Sequence, residues 1–395
     1  MRLLIPIIQI KSPKESTTLT GQFYEEILHL SRKMEKIKIL TAECTGELPQ
    51  ISRNLEVFVV KSPKIPKIAG FHRIFAFVLN VIRLIPEFDC LFIRTFSMVE
   101  MLCLITAKIF GKKCVFLVPG TWIFELKTLK SEITRLIFCI SVMVADCIIL
   151  YSHRMIEPVR KHAPTLDLNK VRIIPNGVDT ERFKPGLNAE FLRRKLGLKK
   201  SDKVVLYVGR LTPQKGLEDL IKAVDAVLKS VSNARFVIVG DGDSKCGGFR
   251  AKLEEMASSR GCGEAVLFVG PMPNRLIPYL DNLADVFVMP SRGGEGITRA
   301  MLEAMSCSVP AVSTNVAGNP DAVIDGETGY IIKPRDHETL AKKLITLLKD
   351  EKLRKGMGEK ARKLIIGKFD MKTNIEKLAE TLEEMCGKER RGPFR

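Results

Sequence analysis

Two doubly wound α/β domains in a single chain are what this amino-acid sequence predicts, and three observations carry the prediction. At 395 residues the chain exceeds one ordinary domain of about 100–200 residues. Short apolar runs alternate with helical patterns, the mark of βαβ units and parallel sheets. Glycine-bearing turns follow several of the apolar runs, where a strand hands over to a helix.

In the first half the predicted strands are Leu3–Ile10, Ile37–Thr41, Leu55–Val60, Cys90–Ile93, Cys114–Val118, Cys147–Leu150 and Val171–Ile174. Helical periodicity is predicted over Gly21–Met34, Gly70–Ile85, Met98–Phe110 and Ser131–Val144. The apolar stretch Ile133 to Tyr151 contains Arg135 and Asp146, so a helix followed by a strand is preferred to a membrane span. The turn Pro175-Asn176-Gly177-Val178-Asp179 closes the series. A second series has strands at Val204–Val208, Arg235–Val239, Val266–Val269, Val286–Met289, Ala311–Ser313 and Gly329–Ile332. Its helices are predicted at Leu217–Ser230, Phe249–Ser259, Leu276–Asn282, Arg299–Met305, Pro320–Ile324 and His337–Lys349. Residues 1–182 and 183–370 are the expected domains, with helix 371–387 packing back on the first and 388–395 a basic tail. Folds of this class bind ligands beyond the carboxyl ends of their strands.

With 46% hydrophobic and 27% charged residues, a disordered chain is excluded. The net charge of +18 is spread evenly, +9 before Thr180 and +9 after it. Such an excess suits anionic substrates, a membrane surface or nucleic acid. No nucleic-acid motif is present, so no nucleic-acid partner is expected. Ten cysteines include no C-x-x-C pair, and Cys90, Cys103, Cys114, Cys139 and Cys147 sit in apolar runs. This pattern predicts reduced thiols, a cytoplasmic protein and no zinc site. The N-terminal apolar run is too short to span a membrane and reads as a buried strand.

Two segments carry candidate chemistry. After a strand, Val208-Gly-Arg-Leu-Thr-Pro-Gln-Lys-Gly216 sets Arg210 and Lys215 on a loop that opens a helix. Two cations and a helix N-terminus suit a diphosphate, although both charges read equally as solvated loop residues. After another strand, Pro290-Ser-Arg-Gly-Gly-Glu295-Gly-Ile-Thr-Arg-Ala-Met-Leu-Glu303 surrounds Glu295 with glycines and puts Glu303 in a helix. Carboxylates eight residues apart can bracket a polyhydroxyl ligand, or be a helix N-terminal charge and a surface residue.

These stretches resemble the retaining nucleotide-sugar glycosyltransferases of family 4, group 1. Ile173-Ile-Pro-Asn-Gly-Val-Asp179 is similar to the family's inter-domain signature and Val208–Gly216 to its phosphate loop. Val239-Gly-Asp-Gly242 follows a strand as in the family, and Glu295 to Glu303 matches its E-x7-E motif, continued by Pro310-Ala-Val-Ser-Thr-Asn-Val-Ala-Gly318. The resemblance implies a GT-B fold, two Rossmann-like domains facing across a cleft, and no required metal or other cofactor. It implies that Arg210 and Lys215 hold the donor diphosphate, Glu295 contacts the transferred sugar and Glu303 accepts from the ribose. Backbone around Gly296, Ile297, Thr298 and Arg299 would approach the phosphates, Gly240 and Gly242 would lie near the base, and Gly120 beside the substrate. The donor would be a nucleotide diphosphate sugar and the product a glycan or glycolipid of retained configuration.

The sequence departs from the family at three places. The loop after the first strand holds only Gly21, Pro119 stands where His is expected, and Thr298 stands where Gly or Pro is commoner. Thr121 or Glu125 is the expected substitute for that His, and the lone Trp122 reads equally as a sugar platform or a packed ring. Asp241-Gly-Asp243 reads as a loop turn rather than a metal motif, and the five histidines have no metal spacing. Lys61, Lys64 and Lys67 precede the apolar run Phe71–Ile85, and Arg73 stands at its start. That suits either a buried helix with a solvated basic loop or docking on an anionic leaflet at the inner membrane face, with a lipid-linked acceptor. The rival functions are a sugar-nucleotide epimerase of the same architecture and a donor-binding protein of reduced activity.

Overall fold

A computed structural model describes residues 1–11, 26–45, 53–60, 66–120, 129–242, 248–293 and 296–387. The chain divides into two compact units, Met1–Pro175 with the chain from Lys372 onward, and Asn176–Met371.

The first unit holds seven strands, β1 (Arg2–Lys11), β2 (Lys36–Thr45), β3 (Leu55–Val59), β4 (Cys90–Ile93), β5 (Lys113–Val118), β6 (Cys147–Leu150) and β7 (Val171–Ile173). They form one sheet in the order β3-β2-β1-β4-β5-β6-β7, parallel at every pairing. Strands β4 and β6 are buried throughout, as expected of parallel strands covered on both faces. Connections β3→β4, β4→β5 and β5→β6 all step the same way across the sheet. Right-handed crossovers therefore lay the helices Pro66–Leu84, Met98–Ile109 and Leu129–Val144 side by side on one face. The middle helix packs against both others. Beneath them Phe96, Phe116 and Phe138 meet edge to face, with ring centroids 5.3–6.5 Å apart. Met98–Ile109 starts at an N-cap, in which Ser97 accepts from the Glu100 amide, and the Glu100 carboxylate accepts from the Ser97 and Thr95 hydroxyls.

The second unit holds β8 (Lys203–Val208), β9 (Ala234–Val239), β10 (Val266–Gly270), β11 (Val286–Met289), β12 (Ala311–Thr314) and β13 (Gly329–Ile332). Their order is β10-β9-β8-β11-β12-β13, again all parallel. The strand order reverses between β8 and β11, and the carboxyl ends of those two strands mark the unit's switch point. Helix Leu217–Ser230 buries Leu217, Leu220, Ile221, Val224 and Val227, the 3.6-residue stripe seen in the sequence.

The predicted strands are all present; the helix predicted over Gly21–Met34 is described only from residue 26 and runs to residue 31, and other helices need correction. Helix Pro66–Leu84 begins four residues before the expected Gly70, because proline's fixed φ suits a first helical turn. The predicted helix Pro320–Ile324 is the short turn Asn319–Ala322. Helix Glu351–Lys368 was not expected at all, since Gly356, Gly358 and Gly367 depress its helix propensity. Gly358 has a packing reason: a Cβ there would lie 2.0 Å from the Ser308 carbonyl oxygen. Two short helices, Ile156–His162 and Glu190–Lys195, also escaped the sequence pattern. The predicted loop around Gly21, with Thr121, Trp122, Glu125, Lys61, Lys64, Asp243 and the 388–395 tail, lies outside the described residues. No helix among the described residues is long and apolar enough to cross a membrane.

Candidate functional site

The candidate site is built at the switch point of the second sheet, where four loops are tied to one another. After β8 the chain passes Gly209 and Arg210, makes a short 3-10 turn Pro213–Lys215, and enters helix Leu217–Ser230 through Gly216. Gly216 is needed twice over. Its φ of 68° is left-handed, and a Cβ would lie 2.0 Å from the Pro290 carbonyl oxygen of the β11 loop. The Arg292 amide donates to the Gln214 carbonyl at 2.7 Å, so the β8 and β11 loops are stitched directly. The β9 loop joins them through the Leu211 amide, which donates to Asp241 O at 2.9 Å. Gly240, at φ 133°, would bring a Cβ within 1.9 Å of the Gly209 carbonyl oxygen. The Tyr207 hydroxyl, below the loop, donates to the Arg210 carbonyl at 2.8 Å.

The β12 loop completes the set. Gly318 N donates to the Gly296 carbonyl at 2.9 Å, and the Thr314 hydroxyl to Ser291 O at 2.7 Å. Asn319, fully buried, accepts from the Thr298 hydroxyl at 3.2 Å through Oδ1 and donates to the Ser313 hydroxyl at 3.1 Å through Nδ2. The Asn176 side chain donates to the Ile297 carbonyl at 3.0 Å. Its neighbour Gly177 lies so close to Met371 that a Cβ would sit 2.4 Å from Met371 Cα. The Pro-Asn-Gly segment thus braces the loop that leads into helix Arg299–Ser306.

Within this frame the predicted residues take distinct positions. Arg210 is exposed, whereas Lys215 is 9% exposed, at the end of the 3-10 turn. Gly240 and Gly242 follow β9, and a Cβ on Gly242 would approach Leu211 O to 3.7 Å. Gly296, Ile297 and Thr298 are buried ahead of helix Arg299–Ser306. Glu303, one turn into that helix, is only 4% exposed. Gly120 belongs to the first unit, buried just beyond the end of β5. Glu295 lies outside the described residues. The first eight of these residues are gathered at one edge of one sheet.

Four residues at this site were not singled out from the sequence. Arg292 forms a fork to Asp219, with Nε and Nη2 each 2.8 Å from a carboxylate oxygen, and reaches Glu218 at 2.5 Å. This fork clamps the β11 loop to the first turn of helix Leu217–Ser230. Lys252, first, and then Arg292 hold the Glu218 carboxyl below its usual range. Asn319 and Asn176 position backbone, as above. Asp281 is fully buried on helix Ile277–Leu283, which packs against the helix of Glu303. Neither of its carboxylate oxygens has a hydrogen-bond partner among the described residues. Burial first, and the Glu303 charge second, push its carboxyl well above the usual range. The Thr212 and Ser291 hydroxyls, in the β8 and β11 loops, are also buried without a partner among the described residues. The partners of Arg292 lie 73 and 74 residues away, which no local pattern reveals.

By fold and site this is a doubly wound α/β protein whose converging loops sit where such proteins take up ligands. Two family models match: Glycosyltransferase Family 4 over residues 23–182 and Glycosyl transferases group 1 over residues 188–364. Over 217 residues the chain is 34% identical to a GDP-mannose-dependent alpha-(1-6)-phosphatidylinositol monomannoside mannosyltransferase of Mycolicibacterium smegmatis, covering 53% of this chain and 55% of that one. It is 28% identical, over 71% of its length and 72% of the relative's, to a UDP-Gal:alpha-D-GlcNAc-diphosphoundecaprenol alpha-1,3-galactosyltransferase of Escherichia coli. The sucrose-phosphate synthase of Thermosynechococcus elongatus superposes with a TM-score of 0.80 at 19% identity, covering 97% of this chain and 98% of that one. The chain belongs to the group 1, family 4 glycosyltransferases and has the GT-B fold of two Rossmann-like domains. The match spans about half the length of the first two curated relatives.

Proposed function

We propose that this protein transfers a hexosyl unit, with retention, from a nucleotide diphosphate sugar to a lipid-linked or glycan acceptor at the cytoplasmic face of a membrane. The observation that carries the reading is the stitched switch point. The β8 loop, locked to the β11 loop through Arg292 and Gln214, bears Arg210 and Lys215, and the β11 loop leads into the helix of Glu303. A departing nucleoside diphosphate gains negative charge as the anomeric C–O bond breaks. Preorganised cations at that point stabilise the transition state more than the ground state. Arg210 and Lys215 take that part. The Thr212 and Ser291 hydroxyls, buried in these loops without a partner among the described residues, suit further donation to phosphate oxygens. Glu303 accepts from the ribose, and Glu295 contacts the transferred sugar.

The acceptor hydroxyl attacks on the face the diphosphate leaves. Its oxygen bonds the anomeric carbon, and its proton passes to the departing phosphate oxygen, so no protein nucleophile is required. The free thiols at Cys90, Cys103, Cys114 and Cys147 support a reducing compartment. A lipid-linked acceptor is supported by the substrates for which the two relatives above are named.

The test is donor consumption over a panel of UDP-, GDP- and ADP-sugars, with and without membrane extract. Arg210→Ala should lower turnover about 100- to 1000-fold, as loss of one preorganised donor does, and Glu303→Ala should raise KM for one donor. Release of nucleotide that neither substitution changes would overturn the assignment. So would an absence of release and of binding with every donor.

A further inference from the structure

Helix Leu217–Ser230 opens on an electrostatic conflict. Its first turn carries Glu218 and Asp219, and carboxylates there are favoured by the partial positive charge of a helix N-terminus. That N-terminus follows Lys215 and Gly216, in the loop proposed above to receive a diphosphate, which the same field attracts. Carboxylates and diphosphate therefore compete for one patch of positive potential. Both acidic side chains are largely buried, so salt screens their charges weakly.

Arg292 offsets them from the other side. It comes from the β11 loop, with its amide tied to the Gln214 carbonyl, and its Cγ lies 3.5 Å from where a Cβ on Gly216 would stand. Its Nε and Nη2 each meet Asp219 at 2.8 Å, and its Nη1 meets Glu218. Lys252, on helix Phe249–Ser259, reaches the other Glu218 oxygen at 2.6 Å. The Lys252 side chain is 61% exposed, against 21% for Arg292, so water weakens the lysine's share more. Removing Arg292 would halve the excess of Arg210, Lys215, Lys252 and Arg292 over Glu218 and Asp219. The surroundings suit an anionic ligand on independent grounds. Ser291, next to Arg292, and Thr212, in the β8 loop, have buried hydroxyls without a partner among the described residues. Arg292 itself has every nitrogen turned to a carboxylate, so its charge acts through Glu218 and Asp219.

We propose that Arg292 is a positioning residue for the donor diphosphate: it neutralises Glu218 and Asp219 at the first turn of helix Leu217–Ser230 and leaves the field of Arg210 and Lys215 to the ligand. This role rests on the donor reading above. The test is equilibrium binding of UDP, GDP and ADP to the full chain, each beside its uncharged nucleoside. Arg292→Gln should weaken binding of the diphosphate that the parent takes by about tenfold or more. It should leave the matching nucleoside unchanged, and added salt should narrow the difference. Arg292→Lys should keep most of the affinity, because it retains the charge although not the fork. Asp219→Asn should tighten diphosphate binding, whereas simple loss of the clamp would weaken it. That variant carries the test should Arg292→Gln not fold. Arg260→Gln removes an equal charge from the pair with Asp225, farther along the same helix, and should change nothing. Equal weakening of diphosphate and nucleoside would make Arg292 a structural clamp alone and overturn the proposal. So would weaker diphosphate binding in Asp219→Asn, or a loss in Arg292→Lys as large as in Arg292→Gln. A parent that binds none of the diphosphates removes the donor reading and this role with it. A parent that binds one, with an affinity these substitutions leave unchanged, removes the role alone.

Discussion

Asp281 and Arg292 show two opposite fates of a charge taken wholly or partly out of water. Arg292 is met by the Asp219 fork and by Glu218, so its charge is offset where it lies. Truncating it strands Asp219, itself only 4% exposed. Arg292→Ala should therefore cost about 3 kcal/mol in urea unfolding, and Arg292→Lys an intermediate amount because an ammonium cannot fork. A loss below about 0.5 kcal/mol would show that the clamp is not structural. Among the described residues Asp281 has no such partner, and burial favours its neutral form instead. An acid whose folded pKa is raised contributes stability that is complete below its unfolded value of 3.8 and is lost as pH rises toward the folded value. Stability should fall through that window by up to about 1.4 kcal/mol per pH unit. Asp281→Asn should flatten the profile, with a gain over the parent at pH 7 that shrinks toward pH 4. Parallel thermal-unfolding profiles for the two proteins would refute it.

At the scale of the element, glycine decides where chain segments approach one another. Helix Glu351–Lys368 contains three glycines in unlike surroundings. Nothing lies within 4 Å of a Cβ built on Gly356, whereas at Gly358 one would strike the Ser308 carbonyl oxygen. Gly356→Ala should therefore stabilise by about 0.5–1 kcal/mol through helix propensity. Gly358→Ala should destabilise by about 1–3 kcal/mol through overpacking. Chemical denaturation of both variants checks the sign, and a stabilising Gly358→Ala would sink the close-packing account. The same reasoning holds the loops of the site together. Gly216 and Gly240 combine left-handed or near-left-handed backbone with contacts at which a Cβ would overlap a carbonyl oxygen. Substitution there should disorder the β8 loop before it disturbs the sheet below.

For the whole molecule, the eight described residues proposed to hold the donor all lie in the second unit, at the carboxyl edge of β8, β9 and β11. A nucleoside diphosphate in hundredfold excess over its Kd should add about 2.7 kcal/mol to the unfolding free energy. Hydrogen exchange should place the new protection in the loops after β8 and β11 and leave the first sheet as it was. Protection confined to the first unit would contradict the donor-side assignment.

The alternation of apolar runs and helical stripes was enough to read both parallel sheets and each described strand, because period and burial are local properties of sequence. The glycines and cations of Val208–Gly216, and Glu303 in its helix, were legible for the same reason: motif and spacing lie within one stretch of chain. The Arg292 clamp, the Asn319 bridge and the unpartnered Asp281 were not legible, since each depends on residues brought together from distant positions. Gly358 misled, because propensity treats a helical glycine as a cost and cannot see the Ser308 carbonyl that requires it. The apolar run Phe71–Ile85 shows the division most plainly. Its composition allowed a buried helix or a docking one; only the packing of three neighbouring helices decided that Phe77 and Val81 face the core while Phe75, Leu79 and Ile82 face outward. Sequence determined the elements and the local chemistry of this chain. Tertiary structure decided which faces meet, because burial is set by neighbours that the chain brings from elsewhere.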